Sequence, residues 1–146
     1  MKITYRGDYA LKAVLDLAVH YDQGLVTIHE LAKRTQAPTK FLEQVLLDLK
    51  RGGFVESRRG KSGGYLLARP PKEVIVGDVV RFIDGPTEPI DCLEKGYRGC
   101  SDIYNCLFRK IWQQVSSATS GIVDNINFDD LAFQARIKEQ VLTYSI

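Results

Sequence analysis

Residues 27–68 constrain the fold more tightly than any other stretch of this 146-residue chain. Thr27 stands three residues before Glu30, the spacing of a capping box in which hydroxyl and carboxylate satisfy each other's backbone N–H groups. A short helix follows, with Ile28, Leu31 and Ala32 on one face, and Gln36-Ala37-Pro38 breaks it. Thr39 is the expected N-cap of the next helix, which runs to about Arg51. Leu42, Val45, Leu46 and Leu49 fall at i, i+3, i+4 and i+7, one buried stripe, and Lys40, Glu43, Gln44 and Asp48 lie away from it. Gly52-Gly53 ends the helix. Phe54–Arg58 and Tyr65–Ala68 read as two strands around a Gly-rich turn, and Arg69-Pro70-Pro71 stops the hairpin.

A helix from Asp8 to Asp22 precedes this unit, with Asp8 as its expected cap and Gly24 closing it. Tyr9, Leu11, Val14, Leu15, Ala18 and Val19 mark it as largely buried. Helix, helix–turn–helix, hairpin is the order of a winged helix–turn–helix. The second helix of such a pair enters the major groove and reads base edges. The wing places basic groups over the backbone or minor groove. The expected DNA contacts are Thr39, Lys40, Glu43 and Gln44, with Glu43 and Gln44 at base edges, and Arg58, Arg59, Lys61 and Ser62 in the wing. Winged helices also serve purely as protein-binding modules; the basic wing and the polar face of the third helix favour DNA here.

Charge distribution supports that reading. Residues 1–72 hold 13 basic and 7 acidic side chains, whereas residues 73–146 hold 7 and 11. Within residues 50–72 seven basic side chains meet one acid, Glu56. A clustered basic segment on a chain of net charge +2 suggests a polyanion contact or, more plainly, a solvated surface.

The second half reads differently. Val76–Ile83 is a short apolar helix ended by Asp84-Gly85-Pro86, residues 87–102 are loop-like, and a long helix is expected from about Ile103 to near Asp124. Its Leu107, Ile111, Val115, Ala118 and Ile122 are spaced close to a heptad seam, widened by Phe108 and Trp112. A stripe left over after the first domain has its core calls for a partner helix, most economically from a second copy in a symmetric dimer, or for packing on the same chain. Residues 128–133 are expected to form a short last helix. The fold class is therefore mainly α with a small β-hairpin wing. The expected divisions are a DNA-binding domain at 1–72, a connecting helix and cysteine-bearing loop at 73–102, and a dimerisation helix with its tail at 103–146.

All three cysteines, Cys92, Cys100 and Cys106, fall within 15 residues of that loop and the start of the long helix. Thiolates bind soft metals and iron–sulfur clusters. Cys106 at the head of a helix gains from the dipole, which favours thiolate. A cluster, a thiol redox switch and a zinc site all remain open on spacing alone, although the paired Cys-x-x-Cys of structural zinc is missing.

The chain resembles the Rrf-two family of bacterial transcription regulators, the group that includes IscR, NsrR, RirA and CymR. The resemblance is carried by Met1-Lys2-Ile3-Thr4-Tyr5-Arg6-Gly7-Asp8-Tyr9-Ala10-Leu11, by Phe41-Leu42-Glu43-Gln44-Val45-Leu46, and by Arg58-Arg59-Gly60-Lys61-Ser62-Gly63-Gly64-Tyr65-Leu66-Leu67. Val76-Gly77-Asp78-Val79-Val80, then Gly85-Pro86 and the cysteines, extend it to about residue 131. It implies a homodimeric repressor or activator on an imperfect palindrome of double-stranded DNA. Members with three cysteines here hold an iron–sulfur cluster, 2Fe-2S or 4Fe-4S, that senses iron or sulfur status, oxygen or nitric oxide; members without them bind none. Cys92, Cys100 and Cys106 are carried over as ligands. Some members place a histidine ligand three residues after the last cysteine, where this chain has Arg109. Others use an acidic residue near the start of the first helix of the other subunit, the place of Asp8. The alternative is a cluster-free regulator acting through cysteine oxidation or a protein partner.

Other classes are excluded as expectations. No apolar run approaches the roughly 20 residues of a membrane span, and the start has no signal-peptide h-region. A cytoplasmic chain with reduced thiols follows. No nucleophile–base set, phosphate loop or carboxylate pair points to an enzyme.

Overall fold

The computed structural model describes residues 1–145. Its elements in chain order are α1 (Tyr5–Val19), α2 (Ile28–Thr35), α3 (Thr39–Arg51), β1 (Val55–Arg58), β2 (Gly64–Leu67), α4 (Val76–Asp84), α5 (Leu107–Val123) and α6 (Phe128–Tyr144). The expected helix–turn–helix and hairpin are present in the expected order.

One core joins these elements. Ala10, Ala13, Val14, Leu17 and Ala18 of α1 meet Leu31 of α2 and Leu42, Val45, Leu46 and Leu49 of α3. Val74, Val79 and Ile83 close it from the α4 side, and Phe128 and Ala132 from α6. Such residues fill the space between packed helices because deleting their contacts would leave voids. The two strands pair antiparallel from Val55 opposite Leu67 to Arg58 opposite Gly64. A third partner, unread in the sequence, is Val26, whose N–H donates to the Tyr65 carbonyl at 2.9 Å while Tyr65 N–H donates back at 2.8 Å. The wing is thereby pinned to the segment before α2.

Several boundaries differ from expectation, each for a local reason. The first helix starts at Tyr5 rather than Asp8, because Thr4 is the cap: its Oγ1 accepts from Gly7 N–H at 3.1 Å. Asp8 lies inside the first turn and is not a cap. Gly24, at φ 86°, closes a separate 3-10 turn at Tyr21–Gln23. Pro38 takes the N-cap position of α3, so Thr39 is its first helical residue. The capping box of Thr27 and Glu30 is present as expected. Asp48, expected on the open face of α3, is buried. The long helix begins at Leu107, four residues later than expected, because 102–105 is occupied by a turn with Asn105 and Cys106 N–H both donating to the Asp102 carbonyl.

The last helix runs 17 residues, not six. Asn127 caps it by accepting from Asp130 N–H at 2.9 Å. Its first half packs on α1, with Phe128 and Ala132 buried, and residues 137–144 continue the helix exposed. Arg136 of α6 donates to the carbonyls of Ala18 and Val19 at 3.2 and 2.8 Å, satisfying acceptors that end α1 without intrahelical partners.

Candidate nucleic-acid interface and cysteine segment

The α2–α3 pair is held rigidly under α1. Asp16 of α1 accepts both Arg34 nitrogens of α2 at 2.8 and 2.9 Å, a fork-to-carboxylate pair that holds Arg34 above its ordinary pKa. Leu42, Val45, Leu46 and Leu49 bury one side of α3, which turns Lys40, Glu43, Gln44, Lys50 and Arg51 outward. Thr39 is half-buried at the helix start. Phe41 packs edge-on against Tyr9 at 5.4 Å, so the exposed face of α3 carries an aromatic flank.

The wing tip presents Arg58, Arg59, Lys61 and Ser62, all exposed. Its turn closes through Gly63 N–H donating to the Gly60 carbonyl at 3.0 Å. Gly60 has φ 109°, a conformation that side chains disfavour, and a Cβ on Gly63 would lie 2.3 Å from the Arg58 carbonyl oxygen. These glycines are what permit the basic tip. Two members of the basic segment do other work. Lys50 donates to Ser57 Oγ at 2.7 Å, tying α3 to β1, and Arg69 lies over the Phe54 ring at 5.4 Å. An open groove between α2 and the wing, lined by Thr27, Lys50, Ser57, Arg58 and Arg59 among others, continues the basic surface.

The cysteines lie in the segment between α4 and α5. Cys92 sits in a 3-10 turn, Asp91–Leu93, that packs on α5. Cys100 is exposed, and Cys106 is the N-cap residue of α5 with no side-chain bond to it. All three thiols are free. Arg109 reaches the Cys92 carbonyl at 3.5 Å, and its Nε is buried without a hydrogen-bond partner among the described residues. Asp8 accepts from Lys12 Nζ at 2.6 Å, which holds the lysine above its ordinary pKa. It borders an open groove with Lys2, Ile3, Thr4 and Tyr5.

The donor chemistry fits an iron–sulfur cluster: three free thiols on one short segment, one of them heading a helix whose first N–H groups have no intrahelical partner. Within the single chain the donors stay apart. Among the described residues no three His, Cys, Asp or Glu side chains come together in a way that would hold a metal ion.

Fold and surface together define a winged helix–turn–helix. The family model described as Rrf2, iron-dependent transcriptional regulator, matches residues 3–134. The chain belongs to the Rrf2 family of transcription regulators. An rrf2-like HTH-type transcriptional regulator of Rhodobacter capsulatus is 39% identical over 136 residues, 88% of this chain and 91% of that one. The structure of CymR, the global cysteine regulator of B. subtilis, superposes with a TM-score of 0.77 at 27% identity, covering 92% of this chain and 98% of that one. IscR of T. potens gives 0.73 at 30% identity, covering 92% and 88%. These relatives are named as regulators, not enzymes. Among the described residues no helix is long and apolar enough to cross a membrane.

Proposed function

We propose that this regulator is a cytoplasmic homodimer on an imperfect palindrome of double-stranded DNA, and that its affinity is controlled by an iron–sulfur cluster. The observation that carries the dimer is α5. None of its residues is buried, although Leu107, Phe108, Ile111, Val115 and Ile122 are all exposed apolar groups. A stripe of that size on a folded chain calls for a partner. A second copy supplies a matching stripe about a two-fold axis, and the two α3 helices then address two half-sites.

Residues 1–72 act as the DNA-binding domain. Glu43 and Gln44 face base edges with Thr39 and Lys40 beside them, and Arg58, Arg59, Lys61 and Ser62 serve the wing. Residues 73–102 connect, and 103–146 supply the dimer helix α5 and then α6, which returns to the core on α1. Cys92, Cys100 and Cys106 would hold the cluster, with Asp8 of the partner subunit as the fourth donor. The separation of donors in the single chain and the openness of Asp8 support a site completed across two subunits. Bound, the cluster supplies a centre that gains or loses iron, sulfide or electrons in response to iron and sulfur supply, oxygen or nitric oxide. The chain's own contribution is the direct continuity from Cys106 into α5, so the order of the cysteine segment bears on the dimer helix.

The ungathered thiols and the arginine at position 109 favour a second reading, a cluster-free regulator working through cysteine oxidation or a protein partner. Strictly anaerobic purification with an absorption spectrum, iron and sulfide assays on wild type and Asp8→Ala separates the two. Visible charge-transfer bands with near-stoichiometric sulfide, lost in Asp8→Ala, is the expected result. A colourless wild-type protein that takes up no cluster on reconstitution would leave the thiol reading.

A further inference from the structure

Asp48 belongs to α3, yet it is only 7% exposed. A carboxylate in that setting is costly without a compensating charge. Arg6 of α1 provides it, with Nε at 3.2 Å and Nη2 at 2.5 Å from Oδ2. The other oxygen, Oδ1, has two more distant neighbours on its own helix: Gln44 Nε2 at 3.5 Å, one turn earlier, and Arg51 Nη1 at 3.6 Å, one turn later. Those distances sit at or beyond the edge of a hydrogen bond. Gln44 and Arg51 are exposed on the face of α3 that carries Lys40 and Glu43. The carboxylate beneath them is therefore a rival partner for both, and Arg6 sets how strongly it competes.

Arg6 is itself fixed in place. Thr4 donates through its N–H and Oγ1 to Asp84, the last residue of α4, at 3.1 and 2.5 Å. Gly7 leaves the room that Asp84 fills, since a Cβ there would lie 2.1 Å from Asp84 Oδ2. The first turn of α1 is thus clamped, and Arg6 projects from it onto α3.

We infer that Arg6 and Asp48 are a positioning pair for DNA recognition: Arg6 neutralises Asp48 and so leaves Gln44 and Arg51 directed at the duplex. The inference rests on α3 being the DNA-reading helix. Without Arg6, the buried charge draws Gln44 or Arg51 inward. Removing that charge as well releases them.

The test uses the full-length dimeric protein, a duplex selected from a random pool by the wild type, and a scrambled duplex of equal length. Affinities for both are read by fluorescence anisotropy across a salt series, alongside thermal melting. Arg6→Gln is expected to weaken the selected duplex about tenfold, the scale of one lost base contact, with little effect on the scrambled one. Arg6→Gln with Asp48→Asn is expected to recover most of that loss, and Arg6→Lys, which keeps the charge, to lose the least. Equal weakening on both duplexes with a flatter salt slope and no rescue would make Arg6 a phosphate contact and overturn the inference. A lower melting point with an unchanged ratio of the two affinities would reduce the pair to a structural brace. A fall in that ratio with Asp48→Asn alone would mean that Asp48 holds the reading groups rather than competing for them. A wild-type protein that selects no sequence would instead remove the reading of α3 on which the inference stands.

Discussion

Helices α1 and α5 are of similar length, 15 and 17 residues, and both carry an apolar stripe. In α1 that stripe disappears into the chain: Gly7, Ala10, Ala13, Val14, Leu17 and Ala18 are buried under α3, α4 and α6. In α5 no residue is buried, and Leu107 is 77% exposed. An amphipathic pattern states that a helix needs a partner and says nothing of where the partner lies. The contrast separates a helix buried within the chain from one whose apolar face stays open, the face we propose for a second copy.

Truncation on the buried side should have the largest effect. Leu17→Ala should cost about 2–5 kcal/mol in urea or thermal unfolding, because the closely packed site leaves a cavity. The same truncation at Ile111 should leave the subunit's folding nearly unchanged. A charge on the exposed side acts on assembly instead: Ile111→Asp should keep the helical circular dichroism and weaken self-association by about thirtyfold or more in sedimentation experiments, as a central interface residue does. A variant that unfolds without dissociating would show that α5 supports its own subunit.

Arg136→Ala probes how α1 is finished. It removes two charge-assisted donations to the Ala18 and Val19 carbonyls and should cost about 1–2 kcal/mol in thermal unfolding. The smallest effect concerns α2. Donation from Thr27 N–H and hydroxyl holds Glu30 below the ordinary carboxylate value of 4.5. Because the folded value is the lower one, this contribution is complete above about pH 4.5 and is lost as pH falls through the folded value. Glu30→Gln should therefore remove that part of the acid sensitivity of unfolding while leaving the remainder.

The same contrast explains what could be read from the residues. Local signals were legible: the Thr27–Glu30 box, the α3 stripe and the glycines of the wing each act within a few residues. The signals that failed depend on distant partners. Asp48 looks like a surface residue until Arg6 arrives from 42 positions away. In α6 the contacts with α1 come early, through Phe128, Ala132 and Arg136, whereas Ile137, Val141 and Tyr144 continue the helix exposed. Asp8 has the residue type of a cap, but Thr4 is pinned by Asp84 and takes that place. At the site, Lys40, Glu43, Gln44 and the wing residues are exposed as the pattern anticipated. Lys50 and Arg69 are basic in the sequence and yet are engaged by Ser57 and Phe54. Their exposure agrees with their charge, and their individual partners were invisible in the sequence. The cysteines were legible as a group, while among the described residues they do not gather into a set that would hold a metal ion.

The central claim is that the cysteine segment governs DNA binding. Its most direct test compares anaerobically isolated wild type with the Cys92→Ser, Cys100→Ser, Cys106→Ser triple variant, both verified as folded dimers, on the duplex selected by the wild type. Their affinities should differ by about 5–150-fold, the usual range of coupling between two sites. Equal affinities, with a wild-type sample carrying iron and sulfide, would contradict it.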